Sequence, residues 1–74
     1  MATRRTYVVR DQFHEWGMFY NLAKAKERAK KLADLEEDVF FVEDVTNWLA
    51  TRGAKPAELE YTAHPKTPPV GSWR

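Results

Sequence analysis

Two histidines, His14 and His64, are the side chains of this sequence whose ordinary pKa best suits proton transfer near neutral pH. Neither is accompanied by a motif that pairs a hydroxyl or thiol nucleophile with a base, and the chain has no glycine-rich phosphate loop. Catalytic groups must be held rigidly, whereas these histidines fall in a predicted hairpin loop and in a proline-rich segment. We therefore predict that the protein is not an enzyme and has no catalytic residue.

The acidic residues in the middle of the chain are the candidates for a metal site. These carboxylates are Asp34, Glu36, Glu37, Asp38, Glu43 and Asp44. They lack the alternating Asp and Asn ligands and the turn glycine of a calcium loop. The chain has no cysteine, which excludes thiolate ligands and disulfides. We expect a solvated charged turn without a metal, and no cofactor.

Basic residues concentrate in the first half of the chain, although the formal net charge is only +1. Residues 1–33 carry eight basic and three acidic side chains, and residues 34–60 carry two basic and eight acidic ones. One interpretation is a solvated helix face, since Glu27 can pair with Lys31 four residues on. The other is a surface that neutralises phosphates. The cations cluster in the first turns of the predicted helix and the acids at its end, against the preference of the helix dipole, so a binding role is worth testing.

A third group is aromatic. Strand alternation predicts that Trp16, Met18 and Tyr20 share one face of a strand, with Gly17 and Phe19 on the other. One helix with an alanine face cannot cover both faces of the sheet. The face with Trp16, Met18 and Tyr20 must therefore be covered by the C-terminal tail, a second copy of the chain or a partner. We expect self-association first, since a 74-residue chain is short of core, and hence a homodimer. The residues assigned to partner binding are Trp16, Met18, Tyr20, Arg4, Arg5, Arg10, Lys24, Arg28 and Lys31.

The elements that position these residues start from a helix predicted over residues 22–36. Asn21 is a favoured N-cap, and the residues that follow are nearly all strong helix formers. The predicted inner face consists of Leu22, Ala25, Ala29, Leu32 and Ala33. Residues 5–10 and 16–20 predict a β-hairpin before the helix, and residues 39–42 predict a strand after it.

The remainder of the chain is less regular. For residues 44–53 we favour a turn into a fourth strand that starts at Trp48; the alternative is a short helix capped by Asp44 and stopped by Gly53. Residues 56–59 predict one helical turn that begins with proline. The expected organisation is one α+β domain over residues 1–62, with a sheet of three to four antiparallel strands and one packed helix, followed by an extended proline-rich tail over residues 63–74.

Composition bounds the class of protein. A hydrophobic fraction of 43% with ten aromatic residues predicts a folded chain. The longest wholly apolar run, Val39 to Val42, is far shorter than the roughly 20 residues of a membrane span. No secretory signal is evident, and the lack of cysteine favours a reducing compartment. We expect a soluble cytoplasmic protein that does not contact membranes.

Segments between residues 5 and 45 form a pattern: Tyr-Val-Val-Arg-Asp, Trp-Gly-Met-Phe-Tyr-Asn, an alanine-spaced helix and Val-Phe-Phe-Val-Glu-Asp. This pattern resembles many short ββαβ proteins of phages, other mobile elements and bacteria. Those with assigned roles are frequently inhibitors or modulators of host machinery, including anti-CRISPR and other anti-defence proteins. The resemblance implies a small inhibitor or modulator that binds a host protein or nucleoprotein, and it transfers no functional residue. The alternative is a nucleic-acid-binding module that uses the basic N-terminal strand and helix; we expect such binding to be weak.

Overall fold

A computed structural model describes residues 4–66 of the chain. The elements are β1 (Tyr7–Arg10), β2 (Glu15–Phe19), α1 (Leu22–Glu36), β3 (Phe40–Asp44), α2 (Thr46–Ala50) and β4 (Glu58–Ala63). The strands form one antiparallel sheet in the order β2-β1-β3-β4, and α1 packs on one face of it. The α+β class with a small antiparallel sheet and one amphipathic helix is confirmed.

Helix α1 has the predicted bounds and the predicted inner face. The Asn21 side chain accepts a hydrogen bond from the Lys24 backbone N–H at 3.1 Å and so satisfies an amide that the helix leaves free. Ala25, Ala29, Leu32 and Ala33 are buried against the sheet. Because most of these side chains are small, the helix can lie close to the strands. At the other end Glu37 adopts the left-handed conformation, with φ 53°, and terminates the helix.

The core is a single layer between α1 and the sheet. Phe40, Val42 and Val9 are fully buried there, and Ala63 of β4 belongs to the same core. Three aromatic residues, Tyr7, Phe19 and Tyr61, are partly buried and pack around this core. Phe19 turns towards the helix, as the sequence predicted.

Within residues 44–53 the structure has the short helix α2, Thr46–Ala50, and not the favoured strand starting at Trp48, so that prediction is wrong. The Asp44 carboxylate accepts a hydrogen bond from the Thr46 N–H at 2.9 Å, which satisfies an orphan amide at the start of α2. At the other end, Gly53 has φ 89° and its N–H donates to the Trp48 carbonyl at 2.7 Å. The alternative of a short helix before Gly53 is confirmed, but its N-cap residue is Val45 rather than the predicted Asp44.

The fourth strand comes later in the chain than predicted. Glu58–Ala63 pairs with β3 as strand β4, and residues 56 and 57 are not helical, so the helical turn predicted over residues 56–59 is wrong. Pairing with β3 supplies backbone partners that an isolated turn would lack. Ala63 is thus the last residue of the sheet rather than the first of a tail. The rest of the predicted tail, from residue 67 onward, lies outside the described residues.

The face of the sheet opposite α1 is partly covered by the segment from α2 to β4, which was not among the covers that the sequence analysis considered. Val8, which points to this face, is buried, and so is Val45 at the start of α2. Trp48 and Pro56 line a groove there beside the paired side chains of Arg10 and Glu43. The segment from α2 to β4 therefore shields part of the second face.

Between residues 4 and 66, no helix combines the length and apolarity required to cross a membrane.

Candidate functional site

The hairpin between β1 and β2 is organised by the Asp11 carboxylate. One oxygen accepts hydrogen bonds from the backbone N–H groups of Phe13 at 2.7 Å and His14 at 2.6 Å, and the other accepts from Trp16 Nε1 at 3.0 Å. These hydrogen bonds hold the pKa of Asp11 below its ordinary value. Asp11 thus fixes both the loop and the indole that follows it.

Trp16 does not share a face with Met18, which corrects the predicted aromatic face. The pairing of β2 with β1 skips Trp16, because Val9 lies opposite Gly17 and Arg10 lies opposite Glu15. This bulge turns the indole to the α1 side, where it meets the Phe40 ring edge-on with the centroids 5.5 Å apart. The side-chain alternation predicted from the sequence fails here, because one extra residue in a strand moves the side chains before it to the opposite face of the sheet.

Met18 and Tyr20 are more exposed than Trp16, at 55% and 58% of their surface. Met18 lies opposite Val8 on the face away from α1. The Arg4 guanidinium stacks over the Tyr20 ring with 5.0 Å between its central carbon and the ring centroid. The most exposed members of the predicted set are therefore Met18 in β2 and Tyr20 just after it, with Arg4 beside Tyr20.

Two of the predicted partner-binding arginines are held by acids of β3. Arg5 donates to the buried Asp44 carboxylate at 3.1 Å, and Arg10 lies 3.5 Å from the Glu43 carboxylate. Burial raises the pKa of Asp44, but hydrogen bonds from Thr46 and the charge of Arg5 outweigh it and leave the pKa below its ordinary value. Arg5 and Arg10 are therefore each paired with an acid of β3, although both side chains stay partly exposed.

The basic residues of α1 separate into two flanks. Lys26 and Lys30 lie over the Tyr61 ring beside β4, with their Nζ atoms 5.4 and 5.9 Å from the ring centroid. Lys24, Arg28 and Lys31 lie on the other flank, above β2. The spacing of four and then three residues explains this second group, because such positions follow one another along one side of a helix.

The second flank and β2 enclose a shallow depression, which we call the α1–β2 groove. Its volume is about 260 Å³, and its lining consists of Phe19, Lys24, Glu27, Arg28 and Lys31. Lys31 is paired with Glu27 at 3.8 Å, whereas within residues 4–66 neither Lys24 nor Arg28 forms an ion pair. The groove thus combines an aromatic wall with cations that remain available to an anionic ligand.

The wall of the groove depends on Gly17. A Cβ at this position would lie 3.2 Å from Cε1 of the Phe19 ring, so glycine leaves the ring room to lie along the strand. The sequence prediction did not assign Phe19, Glu27 or Gly17 to the binding surface. The spacing of Lys24, Arg28 and Lys31 was the signal that could have separated this flank from Lys26 and Lys30.

Three carboxylates lie close together where β3 pairs with the edge strand β4, on the opposite side of the sheet from β2. The sequence prediction had not placed a cluster there. Single oxygens of Asp44, Glu58 and Glu60 lie within 4.8 Å of one another, a spacing that a cation could bridge. However, Asp44 already accepts from Arg5 and Thr46, and Glu58 and Glu60 are exposed. Exposed carboxylates often lie this close together, so the cluster by itself does not indicate a metal site.

The arrangement of the two histidines does not resemble that of a catalytic pair. His14 is exposed in the hairpin loop with its Nδ1 3.9 Å from the Asp11 carboxylate, and His64 is exposed just after β4.

Comparison of the chain with protein-family models, with curated proteins and with solved structures finds no match. The resemblance to short phage proteins therefore remains a prediction.

Proposed function

We propose that this chain is a small non-enzymatic binding protein of the cytoplasm, an inhibitor or modulator of the phage type, in the class that includes anti-CRISPR and other anti-defence proteins. It attaches to an acidic surface of a host protein or nucleoprotein through the α1–β2 groove. The observation that carries the proposal is the grouping of Lys24, Arg28 and Lys31 on one flank of α1, beside the Phe19 ring.

Charge supports this choice of surface. Arg5 and Arg10 are each paired with a neighbouring acid, and Lys26 and Lys30 lie over Tyr61 on the other flank. In the α1–β2 groove Lys31 is paired with Glu27, but Lys24 and Arg28 form no ion pair within residues 4–66. Such a patch attracts an acidic surface and accelerates the encounter with it, more so at low salt.

A second candidate function is the binding of single-stranded nucleic acid, and one observation favours it. Trp16 and Phe19 line the α1 side of β2, so bases could stack beside the cations of the groove. We rank it second because the net charge is only +1 and three of the six assigned cations, Arg5, Arg10 and Lys31, are paired with acids. Phosphate binding draws its affinity from the number of available cations.

The proposal is tested by capture of partners from a bacterial host lysate, with and without nuclease. The variant Arg28→Glu reverses one charge of the groove. Lys30→Glu is the matched control, because it makes the same change on the same helix but on the flank that faces Tyr61. We expect a nuclease-resistant protein partner that Arg28→Glu loses and Lys30→Glu retains.

Two results would contradict the proposal. Equal capture by both variants would show that the groove is not the binding surface. Loss of every partner after nuclease treatment, together with tight binding to random DNA at physiological salt, would establish the nucleic-acid function instead. The double variant His14→Ala and His64→Ala serves as a further check, because partner capture should survive it.

A further inference from the structure

Strand β2 is an edge of the sheet. It pairs with β1 on one side, and no residue between 4 and 66 pairs with its other side. An edge strand presents a row of N–H and C=O groups that can bind another extended chain. β2 contains neither lysine nor proline, which often protect an edge, and beyond the bulge at Trp16 its residues 17–19 pair regularly with β1.

The two sides of this edge differ in chemistry. On the α1 side lie the cations of the groove, Lys24, Arg28 and Lys31. On the opposite side lies Met18, which is 55% exposed, with Tyr20 just beyond the end of the strand. A strand added beside β2 would send alternate side chains to these two sides.

We propose that β2 accepts an extended acidic segment of a partner protein as a fifth strand of the sheet. Carboxylates at alternate positions of that segment lie against the cations of the α1–β2 groove, and apolar side chains at the intervening positions pack on Met18 and Tyr20. This inference rests on the proposed function and specifies the partner as a strand in which acidic and apolar residues alternate.

A second copy of the chain is a poorer occupant of this edge. Two antiparallel β2 strands would be related by a two-fold axis perpendicular to the sheet, so both α1 helices would lie on the same face and confront each other. Lys24, Arg28 and Lys31 of one copy would then oppose the same three cations of the other. Like charges directly opposed disfavour this dimer, whereas a row of carboxylates is attracted.

The C-terminal sequence of the chain is also poorly matched in charge. Residues 67–74 contain one charged side chain, Arg74, which is basic, and no carboxylate side chain. Their prolines, Pro68 and Pro69, cannot donate backbone hydrogen bonds to a neighbouring strand. An acidic partner satisfies both the charge and the backbone requirement.

The test uses synthetic peptides that alternate Glu and Val, with peptides that alternate Lys and Val as the charge control. Two further Glu–Val peptides carry backbone N-methyl groups, one at the even positions and one at the odd positions. In an added strand only one of these sets of amides faces β2. We expect the Glu–Val peptide to bind, one methylated form to lose binding, the other to retain it, and the Lys–Val peptide not to bind.

Charge variants locate the site. Arg28→Glu should weaken the Glu–Val peptide by about threefold to thirtyfold, since it replaces an exposed attraction by a repulsion. Lys30→Glu should change its affinity by less than about twofold, because it lies on the other flank. Circular dichroism should give both variants the spectrum of the unchanged protein, so that a loss of binding is not a loss of fold.

Each contrary result has a distinct meaning. Equal binding of both methylated peptides would overturn strand addition while leaving an anion-binding groove, and thus the proposed function, in place. Binding of oligothymidylate without the Glu–Val peptide would overturn the inference in favour of nucleic acid. A dimer in light scattering that Met18→Glu separates would assign the edge to a second copy. If no peptide binds and Arg28→Glu leaves partner capture unchanged, both proposals are wrong.

Discussion

The replacement of Thr46 by valine tests how β1 is joined to α2. The Thr46 hydroxyl accepts a hydrogen bond from the buried backbone N–H of Thr6 at 2.8 Å, and the Val45 N–H donates to the Thr6 carbonyl at 2.9 Å. The Thr46 side chain also hydrogen-bonds the Asp44 carboxylate. Valine matches threonine in shape but offers no acceptor, so the variant removes hydrogen bonds without opening a cavity.

The magnitude follows from the buried amide that loses its acceptor. Leaving such a group unsatisfied costs about 1–3 kcal/mol of the free energy of unfolding. In a domain of this size each kcal/mol lowers Tm by about 4–8 °C. We therefore expect Thr46→Val to unfold about 8–16 °C lower than the unchanged protein, for a central cost of about 2 kcal/mol.

Thermal and urea unfolding, followed by circular dichroism, measure this effect. Thr46→Ser retains the hydroxyl and loses one methyl group, so its cost should be near the ~0.8 kcal/mol of a buried methylene. Thr62→Val makes the same chemical change on half-buried β4 and should alter stability by less than about 0.5 kcal/mol. The reasoning would be refuted by a Thr46→Val protein as stable as the unchanged one, or less destabilised than Thr46→Ser.

Three further variants or conditions test other parts of the fold. Asn21→Ala should cost about 1 kcal/mol in urea unfolding, because the Lys24 amide loses its cap. Phe40→Ala should cost about 3–5 kcal/mol and remove most of the cooperative transition, since the ring is fully buried. Asp11 and Asp44 have pKa values below 3.8 in the folded state, so stability should be constant near neutral pH and fall as the pH drops through 3.8 and below. Acid unfolding that is equally steep in Asp44→Asn would contradict the last prediction.

The sequence by itself determined the features that depend on residues close together in the chain. Helix α1 follows from a capping residue and a run of helix formers, and its buried face follows from the spacing of Ala25, Ala29 and Leu32. The hairpin, the strand after the helix and the α+β class follow from β-branched and aromatic residues between polar turns. Phe19 was placed correctly because a single residue separates it from the cap, which leaves little freedom in its direction.

The tertiary structure decided the features that depend on partners distant in sequence. Residues 44–53 have no strong local preference, and a hydrogen bond between Thr6 and Thr46, 40 positions apart, accompanies the start of α2 there. β4 is defined by pairing with β3, and the bulge that turns Trp16 towards Phe40 is defined by pairing with β1. Which cations remain available was also a tertiary outcome, because Arg5 meets Asp44 only after β1 and β3 have paired. Long-range hydrogen bonds and ion pairs of this kind leave no periodic pattern in a sequence, since each needs only one suitable residue at each end.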